Sequence, residues 1–182
     1  DFLTAQFYSP AKPDVVFDED GEVLLVVGKD GDQRRFLLRA SFLREHSSLL
    51  EGVLERLEAE GHSSKNPVKV LCASSDVLSL FVLLRGLHSN VWPKQASLKF
   101  LVRVVRTLSS FRLLKEQQDG SAAHRSAARR WLRALHANLG GKDVVKRWTL
   151  LKAACFLVDV KSFRRLAFEL VLAYAGDFRK LE

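Results

Sequence analysis

The residues that could perform chemistry in this chain are few and widely spaced. The five histidines occur without the spacing of metal ligands, and no Cys-x-x-Cys accompanies them. The GKDG segment at residues 28–31 is not a phosphate-binding loop, and no Gly-x-Ser-x-Gly or His-Glu-x-x-His sequence occurs. The acidic segment DEDG at residues 18–21 lacks the alternating oxygen ligands of a calcium loop. The sequence therefore predicts a protein that is not an enzyme and has no catalytic residue, metal or cofactor.

The two cysteines, Cys72 and Cys155, stand far apart in sequence, each in an apolar stretch. This setting favours buried thiols in a reducing compartment, with a single disulfide as the alternative. We therefore expect an intracellular protein of the nucleus or cytoplasm. No window approaches the ~20 uninterrupted apolar residues that a membrane-spanning helix needs, so no membrane partner is expected. The chain does not begin with Met, which indicates an internal fragment.

Basic charge is the strongest compositional bias, with a formal net charge of +8 over 182 residues. Its densest group falls on one predicted helix and comprises Arg125, Arg129, Arg130 and Arg133. Such a group fits a solvated face or an acidic protein partner. Direct nucleic-acid contact is the less favoured alternative. Basic charge by itself gives only weak, salt-sensitive binding to nucleic acid.

The apolar spacing predicts an α+β protein. Residues 22–27 (EVLLVV) form a β-branched run typical of a strand covered on both faces. Asp30-Gly31 predicts a two-residue hairpin turn, and residues 35–38 are the returning strand. The period then changes to 3.6, which predicts one helix with an apolar face made of Phe42, Leu43, His46, Leu49, Leu50, Val53 and Leu54.

Turn and cap signals predict the remaining elements. Residues 15–17 form a short strand in an irregular N-terminal arm, and residues 68–72 form a further strand. Asp76 and Ser97 are the predicted caps of two helices. A polar break at residues 116–121 precedes three more helices, of which the last is predicted to be capped by Ser162.

Residues 36–50 (FLLRASFLREHSSLL) resemble the BTB/POZ signature, in which a strand ends in an aromatic residue and a helix opens toward a serine and an apolar pair. Leu43 and Ser47 match its most recognisable positions, and residues 23–28 match the preceding strand. Residues 131–132, 150–157 and 162–166 resemble the helical, BACK-like extension of many fungal BTB proteins. The resemblance covers roughly residues 14–176.

This resemblance implies a BTB/POZ domain at residues 22–115, with a small sheet of three to four strands flanked by helices. It also implies an N-terminal arm at residues 1–21 that can be exchanged between protomers, and an all-helical extension at residues 121–182. The implied function is a non-catalytic interaction module that forms homodimers or heteromers, or joins a larger nuclear assembly concerned with transcription or chromatin. The implied interface residues are Phe7, Tyr8, Phe42, Leu43, His46 and Leu50.

Some alternatives remain open. BTB adaptors of cullin-based ubiquitin ligases carry an apolar-x-Glu motif after their first long helix, where this chain has Glu58-Ala59-Glu60. Substrate adaptor of such a ligase is therefore the second predicted function, and nucleic-acid association through the basic helix is the third. Leu43 and Leu50 can also be core residues, and His46 can be a half-buried packing residue or a pH-sensitive part of an interface.

Overall fold

The computed structural model describes residues 4–6, 12–29, 32–60, 68–72, 76–113, 123–139 and 143–173. Its centre is a mixed sheet with the strand order β1-β5-β3-β4-β2. Strand β3 pairs antiparallel with β4 and parallel with β5, and every residue of β3 is buried. The strands are β1 (Thr4–Gln6), β2 (Val15–Val16), β3 (Val23–Val27), β4 (Arg34–Leu38) and β5 (Val68–Cys72).

The hairpin of β3 and β4 is confirmed, and its last ladder pair is Val27 with Arg34. The Asp32 N–H donates to the Lys29 carbonyl oxygen at 3.0 Å, a bond that spans the two residues of the predicted turn. Gly28 has a φ of 103°, a value that a glycine adopts without strain. Asp30 and Gly31 lie outside the described residues.

The segment after the hairpin forms two helices, α1 (Ala40–His46) and α2 (Ser48–Ala59), where the sequence predicted one. Ser47 interrupts them with extended φ and ψ values of −138° and 113°. Its side chain accepts a hydrogen bond from the Leu50 N–H at 3.1 Å, which makes Ser47 the N-cap of α2. Its hydroxyl also donates to the carbonyl oxygen of Phe111 at 2.5 Å. The interruption between α1 and α2 is therefore stabilised by Phe111, a residue distant in sequence. The helical periodicity of the apolar residues does not reveal such a contact.

The next two helices, α3 (Val77–Ser89) and α4 (Leu98–Ser110), begin at the predicted caps. The side chain of Asp76 accepts from the Ser79 N–H, and that of Ser97 accepts from the Phe100 N–H. Asn90 ends α3 in the left-handed conformation, with a φ of 53°. The predicted caps of both helices, Asp76 and Ser97, are confirmed.

The three predicted C-terminal helices are present as α5 (Ala123–Ala137), α6 (Val144–Phe156) and α7 (Val160–Ala173). The predicted cap of α7 is wrong. Asp159 occupies the capping position, and its carboxylate accepts hydrogen bonds from the N–H and the hydroxyl of Ser162, at 3.2 and 3.0 Å. Ser162 therefore lies within the first turn of the helix.

One hydrophobic core extends from the sheet into the C-terminal helices. Helices α5 and α6 pack on α4, α5 also packs on α3, and α6 packs on α7. The indole N–H of Trp131 donates to the Pro93 carbonyl oxygen at 2.8 Å, which ties α5 to the link between α3 and α4. The described chain is thus an α+β structure with a five-stranded sheet and seven helices, none of them long and apolar enough to cross a membrane.

The two cysteines lie in different surroundings. Cys72 is buried in β5, and burial raises the pKa of its thiol to about 12. Cys155 is exposed, so the prediction of a buried thiol is wrong there. The reason is the orientation of α6, which directs Ala153 and Ala154 into the core and leaves Cys155 and Phe156 in solvent. Both thiols are free, so no disulfide joins them.

Candidate partner-binding surfaces

Four rings meet on the surface where α1, the end of α3 and the segment after β2 come together. Phe42 and His46 are one helical turn apart on α1, with ring centroids at 4.6 Å in an edge-on arrangement. The His88 ring lies 5.7 Å from Phe42 and 5.6 Å from Phe17. Each side chain is partly accessible to solvent. We call Phe17, Phe42, His46 and His88 the aromatic–histidine patch.

Charged groups border this patch on one side. A carboxylate oxygen of Asp18 lies 3.3 Å from His88 Nε2 and 3.4 Å from Arg39 Nε. Burial lowers the pKa of His46, and the nearby Glu45 carboxylate only partly opposes this effect. His46 is therefore neutral at pH 7, so the patch presents an uncharged ring beside Phe42. Such a surface can lose water against an apolar partner at little electrostatic cost.

The predicted interface residues fall into three groups. Phe42 and His46 belong to the aromatic–histidine patch. Leu43 and Leu50 are only 2% and 1% exposed, so they are core residues and offer no surface to a partner. Phe7 and Tyr8 lie outside the described residues.

The predicted basic helix is α5, and its Arg129 and Arg133 bind other parts of the chain. Arg129 donates from Nε and Nη2 to the Leu157 carbonyl oxygen at 3.2 and 2.8 Å, and from Nη2 to the Val158 carbonyl oxygen at 3.0 Å. Arg133 lies 3.3 Å from a carboxylate oxygen of Asp159. Arg125 is half-buried and Arg130 is exposed. Two arginines of the group therefore hold the turn between α6 and α7, and part of its charge is used within the chain.

That turn contains a strained residue. Val158 has a φ of 53°, in the left-handed region that β-branched side chains rarely adopt. Burial would raise the pKa of the neighbouring Asp159, but hydrogen bonds from Ser162 and the charge of Arg133 outweigh it and lower that pKa. The sequence contained one usable signal for this turn, the Asp159-x-x-Ser162 capping pattern.

A second polar cluster, which the sequence did not reveal, joins α5, α6 and α7. The Glu169 carboxylate lies 2.8 Å from His136 Nε2, 3.4 Å from Arg147 Nε and 3.2 Å from Arg165 Nε. Burial would raise the pKa of Glu169, but the hydrogen bonds from His136 and Arg165 dominate and lower it. Arg147 is buried, so this cluster supports the packing of three helices.

A groove of about 770 Å³ opens between the β3–β4 connection and the start of α3. Arg103 forms a two-point ion pair with the Asp76 carboxylate in its wall, and the same carboxylate caps α3 through the Ser79 N–H. The lone pairs of Asp76 are thus engaged in holding α3 and α4. No group of His, Cys, Asp or Glu within the described ranges is arranged to hold a metal ion. The groove is lined by Val15, Gly28, Lys29, Asp32, Arg34, Phe36, Asp76, Val77, Leu78, Phe81 and Arg103.

Comparison with known proteins does not place the chain in a family. No protein-family model matches the sequence. A search of curated proteins also gives no significant match.

Proposed function

We propose that this chain is a BTB/POZ-like interaction module with a helical extension, which acts without catalysis by self-association or by joining a larger nuclear assembly. The observation that carries the proposal is the order and pairing of elements around Ser47. A β3–β4 hairpin leads into α1 and α2, and β5 then returns parallel to β3 before α3 and α4. This is the arrangement of hairpin, helices, strand and helices that the sequence resemblance implies.

Two residues of the signature also have clear physical roles in this arrangement. Leu43 is buried and anchors α1 to the core. Ser47 separates α1 from α2 and caps α2. The spacing of Leu43 and Ser47 in the sequence is therefore explained by a helix pair of this geometry, which supports the proposal.

The aromatic–histidine patch is the surface best suited to self-association. It is partly exposed, contains two phenylalanines and includes His46, which is neutral at pH 7. The β1 edge strand pairs antiparallel with β5, with Thr4 opposite Leu71. The same backbone hydrogen bonds would form if β1 were exchanged with a second protomer. A symmetric dimer can thus combine a shared patch with an exchanged strand.

Light scattering over a wide range of protein concentration tests this proposal. We expect a dimer for the wild type and a monomer for Phe42→Asp, because a charge in the patch would be buried without a partner. Val91→Asp is the matched control, since Val91 is exposed in the link between α3 and α4 and lies outside the patch. It should remain dimeric. A wild type that is monomeric at every concentration, and binds no protein from its native extract, would refute the proposal.

Mass spectrometry of the proteins purified with the wild-type chain separates the two kinds of assembly. Chromatin or transcription proteins without a cullin support the nuclear assembly. Cullin and ring-ligase subunits would instead make the chain a ligase adaptor. In that case the Glu58-Ala59-Glu60 end of α2 becomes the first place to mutate.

A further inference from the structure

The outer face of α7 exposes large apolar side chains. Val160, Phe168, Val171 and Leu172 are 53%, 65%, 68% and 71% exposed. With 3.6 residues per turn, they lie on the side of the helix away from the buried Leu166 and Leu170. Concentrated apolar exposure of this kind marks a site that another molecule covers. We call Val160, Arg164, Phe168, Val171 and Leu172 the α7 stripe.

A positive charge lies within the stripe. Arg164 is one turn from both Val160 and Phe168, and Lys161 lies beside them. Neither cation has a carboxylate in ion-pair range among the described residues. Segment 144–173 contains only two acidic residues, Asp159 and Glu169. Asp159 caps α7, and Glu169 is bound by His136, Arg147 and Arg165. The stripe therefore lacks negative charge of its own.

We propose that the α7 stripe binds an acidic amphipathic helix of a partner protein. The partner's apolar side chains pack against Val160, Phe168 and Val171, and one of its carboxylates pairs with Arg164. This recognition combines apolar anchors at helical spacing with a charge-assisted hydrogen bond. The site lies on the helical extension, apart from the aromatic–histidine patch. It goes beyond the proposed self-association and does not depend on it.

Charge decides against a second copy of this chain as the occupant. In a symmetric antiparallel pairing of two α7 helices, position 164 of one copy lies near position 168 of the other. Both Arg164 cations would then be buried close together, and the stripe offers no carboxylate to either. Burying unpaired like charges opposes association.

The position of Arg164 also decides against a membrane surface. A helix that lies in a bilayer interface keeps its basic residues on the polar face and its apolar residues on the other. In α7 the arginine is within the apolar stripe, while the opposite face is fixed in the core through Leu166 and Leu170. Because the buried face fixes the rotation of the helix, Arg164 stays at the centre of the apolar stripe. A partner carboxylate can pair with a cation in that position, and an acyl chain cannot.

Selection from a random peptide library displayed on phage, with the whole chain as bait, tests the proposal. A variant with Arg164→Glu and Phe168→Ala serves for counter-selection. We expect the selected peptides to contain Leu or Phe at helical spacing together with Asp and Glu. In fluorescence anisotropy with the best peptide, Phe168→Ala should weaken binding about tenfold or more. Arg164→Glu should also weaken it, and should favour a version of the peptide in which the acids are replaced by Lys.

The controls are Val91→Ala and Arg106→Glu, which change an exposed valine and an exposed arginine outside the stripe. Both should bind the peptide as the wild type does, and so should Phe42→Asp. Selection of peptides without acidic residues, or an unchanged charge preference in Arg164→Glu, would overturn the proposal. Sedimentation with phosphatidylserine vesicles that requires Phe168, without peptide binding, would make the stripe a membrane site instead. A dimer lost in Phe168→Ala would make it a self-association site.

Discussion

The hydroxyl of Ser47 donates a hydrogen bond to the carbonyl oxygen of Phe111, 2.5 Å away and 64 positions later in the chain. The same oxygen of Ser47 accepts the Leu50 N–H, so this fully buried side chain both starts α2 and holds the end of α4. One small residue thereby fixes where α1 stops, where α2 begins and how the α/β part meets the helices that follow.

Replacement of Ser47 by alanine should lower the free energy of unfolding by about 2–4 kcal/mol. Loss of an N-cap costs about 1 kcal/mol, and loss of the donor to a buried carbonyl costs about 1–3 kcal/mol. Urea denaturation followed by circular dichroism measures the change. Ser41→Ala is the matched control, because Ser41 is exposed on α1. We expect that control to stay within about 0.5 kcal/mol of the wild type. Equal effects of the two substitutions would show that neither the cap of α2 nor the contact with Phe111 contributes to stability.

Glycine-to-alanine substitutions at two helical positions should have opposite signs. A Cβ at Gly86 would lie 2.4 Å from carbons of the Trp92 ring, whereas a Cβ at Gly52 would have no atom within 4 Å. We therefore expect Gly86→Ala to destabilise the chain by about 1–3 kcal/mol through overpacking. Gly52→Ala should stabilise it by about 0.5–1 kcal/mol through helix propensity. Thermal unfolding of both variants checks the pair. A gain at Gly86 would mean that the Trp92 ring moves aside.

Arg129 should be needed for the packing of α6 and α7, and not only for charge. Its guanidinium binds two backbone carbonyls at once, which the point charge of a lysine cannot reproduce. Arg129→Lys should lower the free energy of unfolding by about 1–3 kcal/mol, while Arg130→Lys on the exposed side of α5 should have little effect. Urea titration of both variants gives the comparison. If Arg129→Lys is as stable as Arg130→Lys, the contacts of Arg129 with the two carbonyls do not stabilise the fold.

Relief of strain at Val158 should stabilise the chain. Its left-handed φ costs about 1–2 kcal/mol for a residue with a Cβ, and its side chain is largely exposed, so glycine loses little packing. Glycine also makes the unfolded chain more flexible, which offsets part of the gain. We expect a net gain of about 1 kcal/mol and a rise of about 2–4 °C in Tm for Val158→Gly. Val160→Gly, two positions further on and within α7, should lower Tm. A fall in Tm for both would argue against stored strain.

His46 should lower the free energy of unfolding in mild acid. Because burial lowers its pKa in the folded chain, the unfolded chain takes up a proton more readily below the ordinary value of 6.5. The contribution of neutral His46 to stability is complete above that pH. It is lost as the pH falls toward the lowered pKa of the folded chain. The paired carboxylates Asp76, Asp159 and Glu169 also have lowered pKa values, so their contributions are lost only below about pH 4.5. Unfolding free energies between about pH 5 and pH 7 should therefore fall less steeply in His46→Gln. Identical slopes would contradict this prediction.

Local signals predicted much of the fold. Caps such as Asp76 and Ser97 act on residues three positions away, so the start of a helix can be read from the neighbouring sequence. The apolar run of β3 and the pairing of the hairpin are also local. The break at Ser47 was missed because its second partner, Phe111, is far away in sequence.

The candidate surfaces were harder to predict than the elements. Leu43 and Phe42 are adjacent and both apolar, yet Leu43 is buried whereas Phe42 packs against the core and stays partly exposed. The sequence predicted Arg129 to be a surface charge. Its neighbours in sequence do not show that its guanidinium binds two backbone carbonyls at the end of α6. The exposure of the α7 stripe could not be predicted from the sequence, since an exposed apolar side chain looks like a core residue until the neighbouring helices are placed.

The shared hydrophobic core limits how this protein can be divided. Ala127, Ala128 and Leu132 of α5 belong to the same buried cluster as the sheet and α3. A gene fragment that ended near residue 113 would leave the faces of α3 and α4 bare and would favour aggregation over a folded product. Recombination between genes would therefore have to transfer the sheet together with helices α3 to α5 as a single block, and substitutions in the shared core would have to be accepted in compensating sets across the two parts.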